Sequence, residues 1–132
     1  MQEMSGDHYT KRLFSPVHNK AYTFYELAIN DKFLYEDSLR KLKVGSSDKP
    51  KLAKIYALMD MIGEYPLPKT KFRQIKGAAT NDLWEFKDKD MRVYVLKVAP
   101  KVFVLIAGYK GEQERDIAKL KKIVKNINVK EL

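Results

Sequence analysis

Residues 83–96 read LWEFKDKDMRVYVL, and this stretch decides the fold because it contains two strands joined by a short polar loop. Aromatic and β-branched residues alternate with polar ones around DKD, a pattern that is typical of half-buried strands. A two-residue loop pairs Phe86 with Val93 and Lys87 with Arg92. A three-residue loop would set Phe86 against Arg92 and bury a charge, so the burial cost favours the two-residue loop.

The predicted pairing gives this hairpin two faces of different chemistry, because directly opposed residues point to the same side of a sheet. One face is apolar and consists of Trp84, Phe86, Val93 and Val95. The other face carries an acid, two bases and a phenol, namely Glu85, Lys87, Arg92 and Tyr94. Any antiparallel sheet that helices cover on one side needs a polar second side. The polar face is therefore either an ordinary solvated surface or one functional site, and the pattern leaves both open.

The N-terminal part of the chain gives weaker signals. Residues 1–19 show no clean periodicity and are predicted to form a flexible arm, so that a single domain spans residues 20–132. The segment Lys20–Ile29 is rich in Tyr, Phe and Thr, which favours a strand. Asn30-Asp31 is predicted to cap the start of a helix that ends near Leu42.

The remaining elements follow from helical and strand periodicities. A second helix is predicted with Pro50 in its first turn and Gly63 at its end, and the two helices are expected to form a hairpin on one face of the sheet. Four strand-like segments follow, FRQIKG, LWEFK, RVYVLKV and VFVLIAGY, of which the last is apolar enough for a central strand. A final helix, EQERDIAKLKKIVKNI, has acids in its first turn and lysines towards its end. This order predicts one α+β domain with an antiparallel sheet.

Composition limits the classes of function. The chain has 132 residues, with 26 Lys and Arg against 17 Asp and Glu, and its net charge of +9 favours a polyanionic partner such as nucleic acid or an acidic protein. There is no cysteine, and His8 and His18 both lie near the start, so neither a zinc site nor any other cofactor is expected. No apolar run approaches the roughly 18 residues of a membrane span, and no signal-peptide core is found. We therefore expect a cytoplasmic protein without a membrane partner.

The polar face of the hairpin carries the residue types that RNA cleavage requires. Cleavage through the 2′-hydroxyl needs a group that accepts its proton, cations that stabilise the charged phosphorane, and an acid for the leaving oxygen. Glu85 is the candidate base, Arg92 with Lys87 is the candidate phosphate clamp, and Tyr94 is a candidate for stacking or proton donation. No histidine is placed to help, and free Lys and Arg have pKa values far above neutral.

The order of motifs resembles that of a known toxin family. An L-Y-E-L/F-R strand corresponds to residues 83–87, an R-hydrophobic-x-Y strand to residues 92–95, and an apolar strand with a basic segment to residues 102–110. The lead-in K-x-L-x-G corresponds to the segment that ends in Lys76-Gly77. In these features the chain resembles RelE/HigB-type toxins of the RelE/ParE superfamily, and it looks closest to the phage-derived HigB-like branch.

This resemblance implies a small RelE-like microbial RNase fold and a role as the toxin of a type II toxin–antitoxin system. Such toxins are endoribonucleases that cleave mRNA on the ribosome, and a cognate antitoxin, here expected to be of the helix-turn-helix type, neutralises them. The implied catalytic residues are Glu85, Lys87, Arg92 and Tyr94. The implied RNA-binding residues are Lys76, Lys110 and Arg115, the last two at the mouth of a concave sheet.

The chain departs from the family pattern before its last helix. The usual K-K-x-x-x-T-P step is replaced by GEQERD, which is more acidic. A second reading therefore stays open, in which the domain is a non-catalytic binding module of the same fold. Such a module would hold a protein or a nucleic acid without cleaving it, as gyrase-targeting ParE relatives act without RNase chemistry.

Overall fold

The computed structural model describes residues 6–132, in which three α-helices pack on a seven-stranded mixed sheet. The strands are β1 (Tyr9–Leu13), β2 (Thr23–Ile29), β3 (Lys32–Phe33), β4 (Phe72–Gln74), β5 (Leu83–Asp88), β6 (Met91–Val98) and β7 (Lys101–Tyr109). The helices are α1 (Leu34–Leu42), α2 (Lys49–Met61) and α3 (Gln113–Asn126), with short 3₁₀ turns at Lys110–Glu112 and Val129–Glu131. The predicted α+β class is confirmed.

The strand order is β1-β2-β7-β6-β5-β4, and the short strand β3, which is not part of this order, also pairs with β2. Strands β2 and β7 are parallel, whereas all other neighbouring strands in the described residues are antiparallel. The prediction of an antiparallel sheet is therefore wrong at this one pair. Parallel neighbours need a connection that crosses the sheet, and the chain between β2 and β7 provides it by way of α1 and α2.

The N-terminal segment is part of the sheet where the structure describes it. Residues 9–13 form the edge strand β1, which pairs antiparallel with β2. Phe14 is buried against Tyr35, and the side-chain amide of Asn19 donates to three carbonyl groups at the end of α2. The prediction of a flexible arm is wrong for this segment, because backbone pairing holds an edge strand whose side chains show no alternation. Residues 1–5 of the predicted arm lie outside the described residues.

The turn after β2 differs from the predicted helix cap. Asn30 and Asp31 both have positive φ, at 52° and 67°, and they form a tight turn that leads back into β3. Helix α1 begins only at Leu34 and ends at Leu42. Asn and Asp favour helix caps and left-handed turns alike, and here the turn is formed because it lets β3 pair with β2.

The β5–β6 hairpin has the predicted register. Phe86 lies opposite Val93, Lys87 opposite Arg92, and the two-residue turn places Lys89 at a φ of 54°. The segment FRQIKG contributes the edge strand β4, which pairs with β5, and β7 is a buried central strand, as predicted. The cost of burying a charge on the apolar face is sufficient to determine which residues share a face.

Helices cover both faces of the sheet. Helices α1 and α2 pack on the face that carries Phe86, Val93 and Val95. Helix α3 packs on the opposite face, where Leu120 and Val124 are buried with other apolar side chains, including Tyr94, Leu96 and Leu105. None of the helices in the described residues has the length and hydrophobicity needed to cross a bilayer. The polar face of the hairpin is thus beneath a helix rather than open to solvent.

Candidate functional site

The structure brings the four predicted catalytic residues together on one face of the β5–β6 hairpin. Glu85 lies opposite Tyr94, and Lys87 lies opposite Arg92. Glu85 and Tyr94 are fully buried, and Arg92 is 6% exposed. A half-covered sheet would leave these side chains in water, so the solvated-surface interpretation does not describe this face.

Helix α3 reaches this polar face through a close approach at Gly108 of β7. A Cβ atom at Gly108 would lie 2.2 Å from Oδ2 of Asp116, so a side chain there would require the Asp116 carboxylate to move. One turn earlier on the helix, Gln113 donates a hydrogen bond of 2.7 Å to Oε2 of Glu85. The Asp116 carboxylate thus occupies the space that a side chain at position 108 would take, while Gln113 covers Glu85.

The buried Glu85 carboxylate has partners on several sides. Arg73 of β4 donates from Nε to Oε1 at 2.6 Å, and Nζ of Lys87 lies 4.0 Å from the same oxygen. With Gln113 on Oε2, both carboxylate oxygens are engaged. A buried charge is tolerated only when it is paired and hydrogen-bonded in this way.

Several positive charges converge around Lys87. Burial lowers the pKa of Lys87 from its ordinary value, Glu85 opposes this change, and the positive charges of Arg73, Arg92 and Lys110 lower the pKa further. We call these four cations, Arg73, Lys87, Arg92 and Lys110, the cationic cluster. Because like charges repel when they are held together, such a cluster favours an anion that neutralises them.

Arg92 is held chiefly by the main chain. Its Nη1 donates to the carbonyl oxygens of Lys89 at 2.8 Å and of Met91 at 3.0 Å, which fixes the turn between β5 and β6. Its Nε is buried and has no hydrogen-bond partner among the described residues. Arg92 therefore supports the hairpin and keeps one donor that protein atoms do not use.

Tyr94 keeps a buried hydroxyl group without a hydrogen-bond partner in the described part of the chain. Burial is the main cause that raises the pKa of this phenol, and the nearby negative charges of Glu85 and Asp116 raise it further. Burial likewise raises the pKa of Asp116. Tyr94 is therefore a neutral phenol over the whole physiological range, which suits a proton donor better than a base.

The predicted RNA-binding residues lie in three different places. Lys110 is exposed in the 3₁₀ turn before α3 and belongs to the cationic cluster. Lys76 follows β4, where its Nζ lies 3.4 Å from Oε1 of Gln74. Arg115 is 76% exposed on α3 and pairs with Glu112 at 3.0 Å. Of the three, only Lys110 acts electrostatically on the predicted catalytic residues.

Sequence reasoning missed Arg73 and Gln113, the two side chains that hold Glu85. Arg73 could have been found, because Phe72 of β4 pairs with Phe86 and must share its apolar face. The next residue, Arg73, then lies opposite Glu85 by alternation. No comparable signal exists for Gln113, whose position depends on which face of the sheet α3 covers.

The arrangement has the components of an anion site and of proton transfer. Within residues 6–132, no group of three or more His, Asp or Glu side chains could hold a metal ion. The side chains on this sheet face offer a carboxylate, a lysine of lowered pKa, a neutral phenol and two guanidinium groups.

Comparison with known proteins gives no further guide to this site. No protein-family model, no curated protein and no solved structure matches the chain.

Proposed function

We propose that this protein is an endoribonuclease that cleaves mRNA on the ribosome, as the toxin of a type II toxin–antitoxin system. The observation that carries the proposal is the cationic cluster around Lys87, beside the buried carboxylate of Glu85. Four convergent cations suit the negative charge that develops at a phosphate during cleavage. Burial and the neighbouring cations lower the pKa of Lys87, which is the direction that a proton-donating lysine requires.

The ion pair between Arg73 and Glu85 suggests how RNA binding changes the site. Arg73 is 43% exposed along its side chain while its Nε contacts Glu85. A phosphate that binds Arg73 competes with the carboxylate for the same guanidinium group. Glu85 then loses a partner and becomes a better proton acceptor, while Lys87 and Lys110 neutralise the phosphate. Because Glu85 and Tyr94 are buried, proton transfer to Glu85 and from the Tyr94 phenol requires α3 to move off them.

Two further elements belong to this proposal. An mRNA substrate on the ribosome places the protein in the cytoplasm. A toxin of this kind requires an antitoxin, which we expect to be a small helix-turn-helix protein that is encoded beside this gene and that neutralises the toxin. The location and the antitoxin both follow from the family resemblance and depend on it.

One observation favours a second candidate, a non-catalytic binding module. Glu85 and Tyr94 are fully buried beneath α3, so a substrate cannot reach them while the helix is in this position. Binding needs only Arg73, Lys87 and Lys110, whose side chains are at least partly exposed. The module would hold a nucleic acid or an acidic protein and leave it intact.

Induced expression in a bacterial host separates the candidates. The wild type should arrest growth and deplete translated mRNA, and Lys87→Ala should relieve both, because it removes the centre of the cationic cluster. Lys54→Ala is the matched control, since it removes an equally charged, exposed lysine from α2 on the opposite side of the sheet. Arg92→Ala should also relieve toxicity, but it removes contacts to two carbonyl groups and needs a stability measurement beside it.

The outcomes assign the function as follows. If wild-type expression is harmless and message levels are unchanged, the nuclease proposal is wrong. If purified protein then binds RNA in gel shifts and Lys87→Ala weakens binding, the non-catalytic module takes its place.

A further inference from the structure

A concave site lies at the edge of the sheet, beside the cationic cluster, with which it shares Arg73. It is a pocket of about 780 Å³ between the loop that follows α2, the edge strand β4 and the side chain of Trp84. This volume falls within the range of small-molecule sites in proteins. The pocket is on the α2 side of the sheet, because Trp84 shares the face of Phe86.

One wall of the pocket is built from flat aromatic rings. The Phe72 ring stacks on the indole of Trp84 with centroids 4.6 Å apart and planes 17° from parallel. Tyr22 adds a half-buried ring, and Tyr65 is 59% exposed on the loop that closes the pocket. Phe72 also stacks on Phe86, so the exposed ring of Tyr65 and the partly exposed indole of Trp84 are the aromatic surface available to a planar ligand.

The position of this wall depends on Gly63, which ends α2. Gly63 has a φ of +89°, and a Cβ atom there would lie 2.8 Å from the Tyr22 ring. Only glycine therefore lets the loop turn back over Tyr22 and bring Tyr65 to the pocket. The aromatic wall is thus set by the backbone, which makes it a preformed surface.

The pocket is also strongly basic. Four cationic side chains line it, those of Lys69, Arg73, Lys76 and Lys97, and none of the described residues that line it is acidic. Nζ of Lys97 lies 5.0 Å from the Trp84 ring centroid and 5.5 Å from that of Tyr22. A positive charge is therefore held directly at the aromatic wall, where it can neutralise an anion attached to a stacked ring.

From this combination we infer that the pocket binds a nucleobase together with its phosphate. A flat aromatic surface binds any base by stacking, and the lysines provide the electrostatic attraction that phosphates require. An apolar ligand would leave the four cations unused, and an acidic peptide would leave the exposed rings unused. The base belongs either to a single-stranded RNA or to a free nucleotide, which share this chemistry.

Arg73 connects the pocket to the cationic cluster, because it lines the pocket and also donates to Glu85. A strand of RNA that places one phosphate at the cluster can therefore place a flanking base in the pocket. The inference nevertheless goes beyond the proposed cleavage, since a nucleotide can occupy the pocket of a protein that cuts nothing.

Ligand binding in the pocket can be followed by the fluorescence of Trp84, because Trp84 is the single tryptophan and lines the pocket. The full chain is titrated with a short 2′-O-methyl RNA, which lacks the attacking hydroxyl group and stays intact. Parallel titrations use adenosine monophosphate, inorganic phosphate and oligoaspartate. Saturable quenching of Trp84 fluorescence is expected with the RNA or the nucleotide. Tighter binding of the RNA assigns the pocket to an RNA strand, and equal binding assigns it to a free nucleotide.

Variants test the two walls separately. Tyr65→Ser should raise the Kd about tenfold, as expected for the loss of one base-stacking ring. Lys97→Gln should raise it by a similar factor and reduce the salt dependence of binding by about one counterion. Lys54→Gln, on the exposed side of α2, should leave the Kd unchanged. Absence of saturable quenching, equal quenching by oligoaspartate, or a wild-type Kd for Tyr65→Ser would overturn the inference.

The test is independent of cleavage. Lys87 does not line the pocket, so Lys87→Ala should retain the quenching by adenosine monophosphate, which occupies the pocket alone, even though it should abolish toxicity. Quenching without growth arrest contradicts the nuclease and retains the pocket. Growth arrest without quenching retains the nuclease and contradicts the pocket.

Discussion

The two faces of the β5–β6 hairpin are both buried, one by apolar packing and the other largely by polar contacts. On the α2 face, Phe86 and Val93 are fully buried among apolar residues of the helix, such as Ile55 and Met59. On the α3 face, the same two strands bury Glu85 and Tyr94 beneath a helix that contacts the carboxylate through an amide.

This difference indicates that stability does not explain the polar face. Burial of apolar area stabilises the fold directly, whereas buried charges must first offset the loss of their hydration. The contacts to Glu85 provide that offset, but Nε of Arg92 and the Tyr94 hydroxyl stay unpaired among the described residues. Apolar residues of similar volume are often as stable or more stable in such places. The proposed function accounts for such a polar set, because sites that carry chemistry retain polar groups which stability alone does not require.

The largest expected effect comes from the apolar face. Phe86→Ala should lower the free energy of unfolding by about 3–5 kcal/mol, because it leaves a cavity beside the Phe72 ring, which stacks on Phe86 at 4.4 Å. Urea denaturation followed by circular dichroism measures the change. A cost below about 1 kcal/mol would mean that the α2 face is not the main core of the sheet.

The next effect tests how α3 is held on the polar face. Gly108→Ala should lower the free energy of unfolding by about 1 kcal/mol, because its new methyl group would displace the Asp116 carboxylate from its place on the sheet. Asp116→Ala added to Gly108→Ala should recover most of the loss, since it removes the clashing atoms. The double-mutant cycle in urea denaturation gives the coupling. Additive effects of the two substitutions would show that α3 does not approach β7 at this point.

The same contrast explains which parts of the fold could be predicted. The register of the β5–β6 hairpin was accessible because apolar alternation at period two leaves one arrangement that buries no charge on the α2 face. Strand β1 was missed because main-chain hydrogen bonds hold it, and these do not depend on residue type. The turn at Asn30 and Asp31 was misassigned because the same residues serve helix caps and left-handed turns.

The site was predictable only in part for a related reason. Alternation along two strands brings Glu85, Lys87, Arg92 and Tyr94 to one face, which is a local consequence of pairing. That α3 covers this face is a long-range result, and the apolar stripe of the helix does not say which side of the sheet it joins. The parallel pairing of β2 with β7 is non-local in the same sense.

The smallest effect on stability is expected for Tyr94→Phe. Unlike Phe86→Ala on the α2 face, this substitution on the α3 face should not lower the free energy of unfolding. The substitution removes only the buried hydroxyl, which has no partner in the described residues. Because an unpaired buried polar group costs free energy, the variant should be as stable as the wild type or more stable by up to about 1 kcal/mol. Urea denaturation at neutral pH measures the difference.

The stability of the wild type and of Tyr94→Phe should also differ at alkaline pH. Burial raises the pKa of Tyr94 above its ordinary value of 10.0, so the folded state retains the proton after the unfolded state has lost it. The stabilisation linked to this proton is complete below pH 10 and is lost as the pH rises through the folded pKa. The wild type should therefore lose stability more steeply than Tyr94→Phe above pH 10. If Tyr94→Phe instead destabilises the protein at neutral pH, the hydroxyl has a structural partner. If its stability is unchanged and toxicity is lost, the hydroxyl acts in the proposed cleavage.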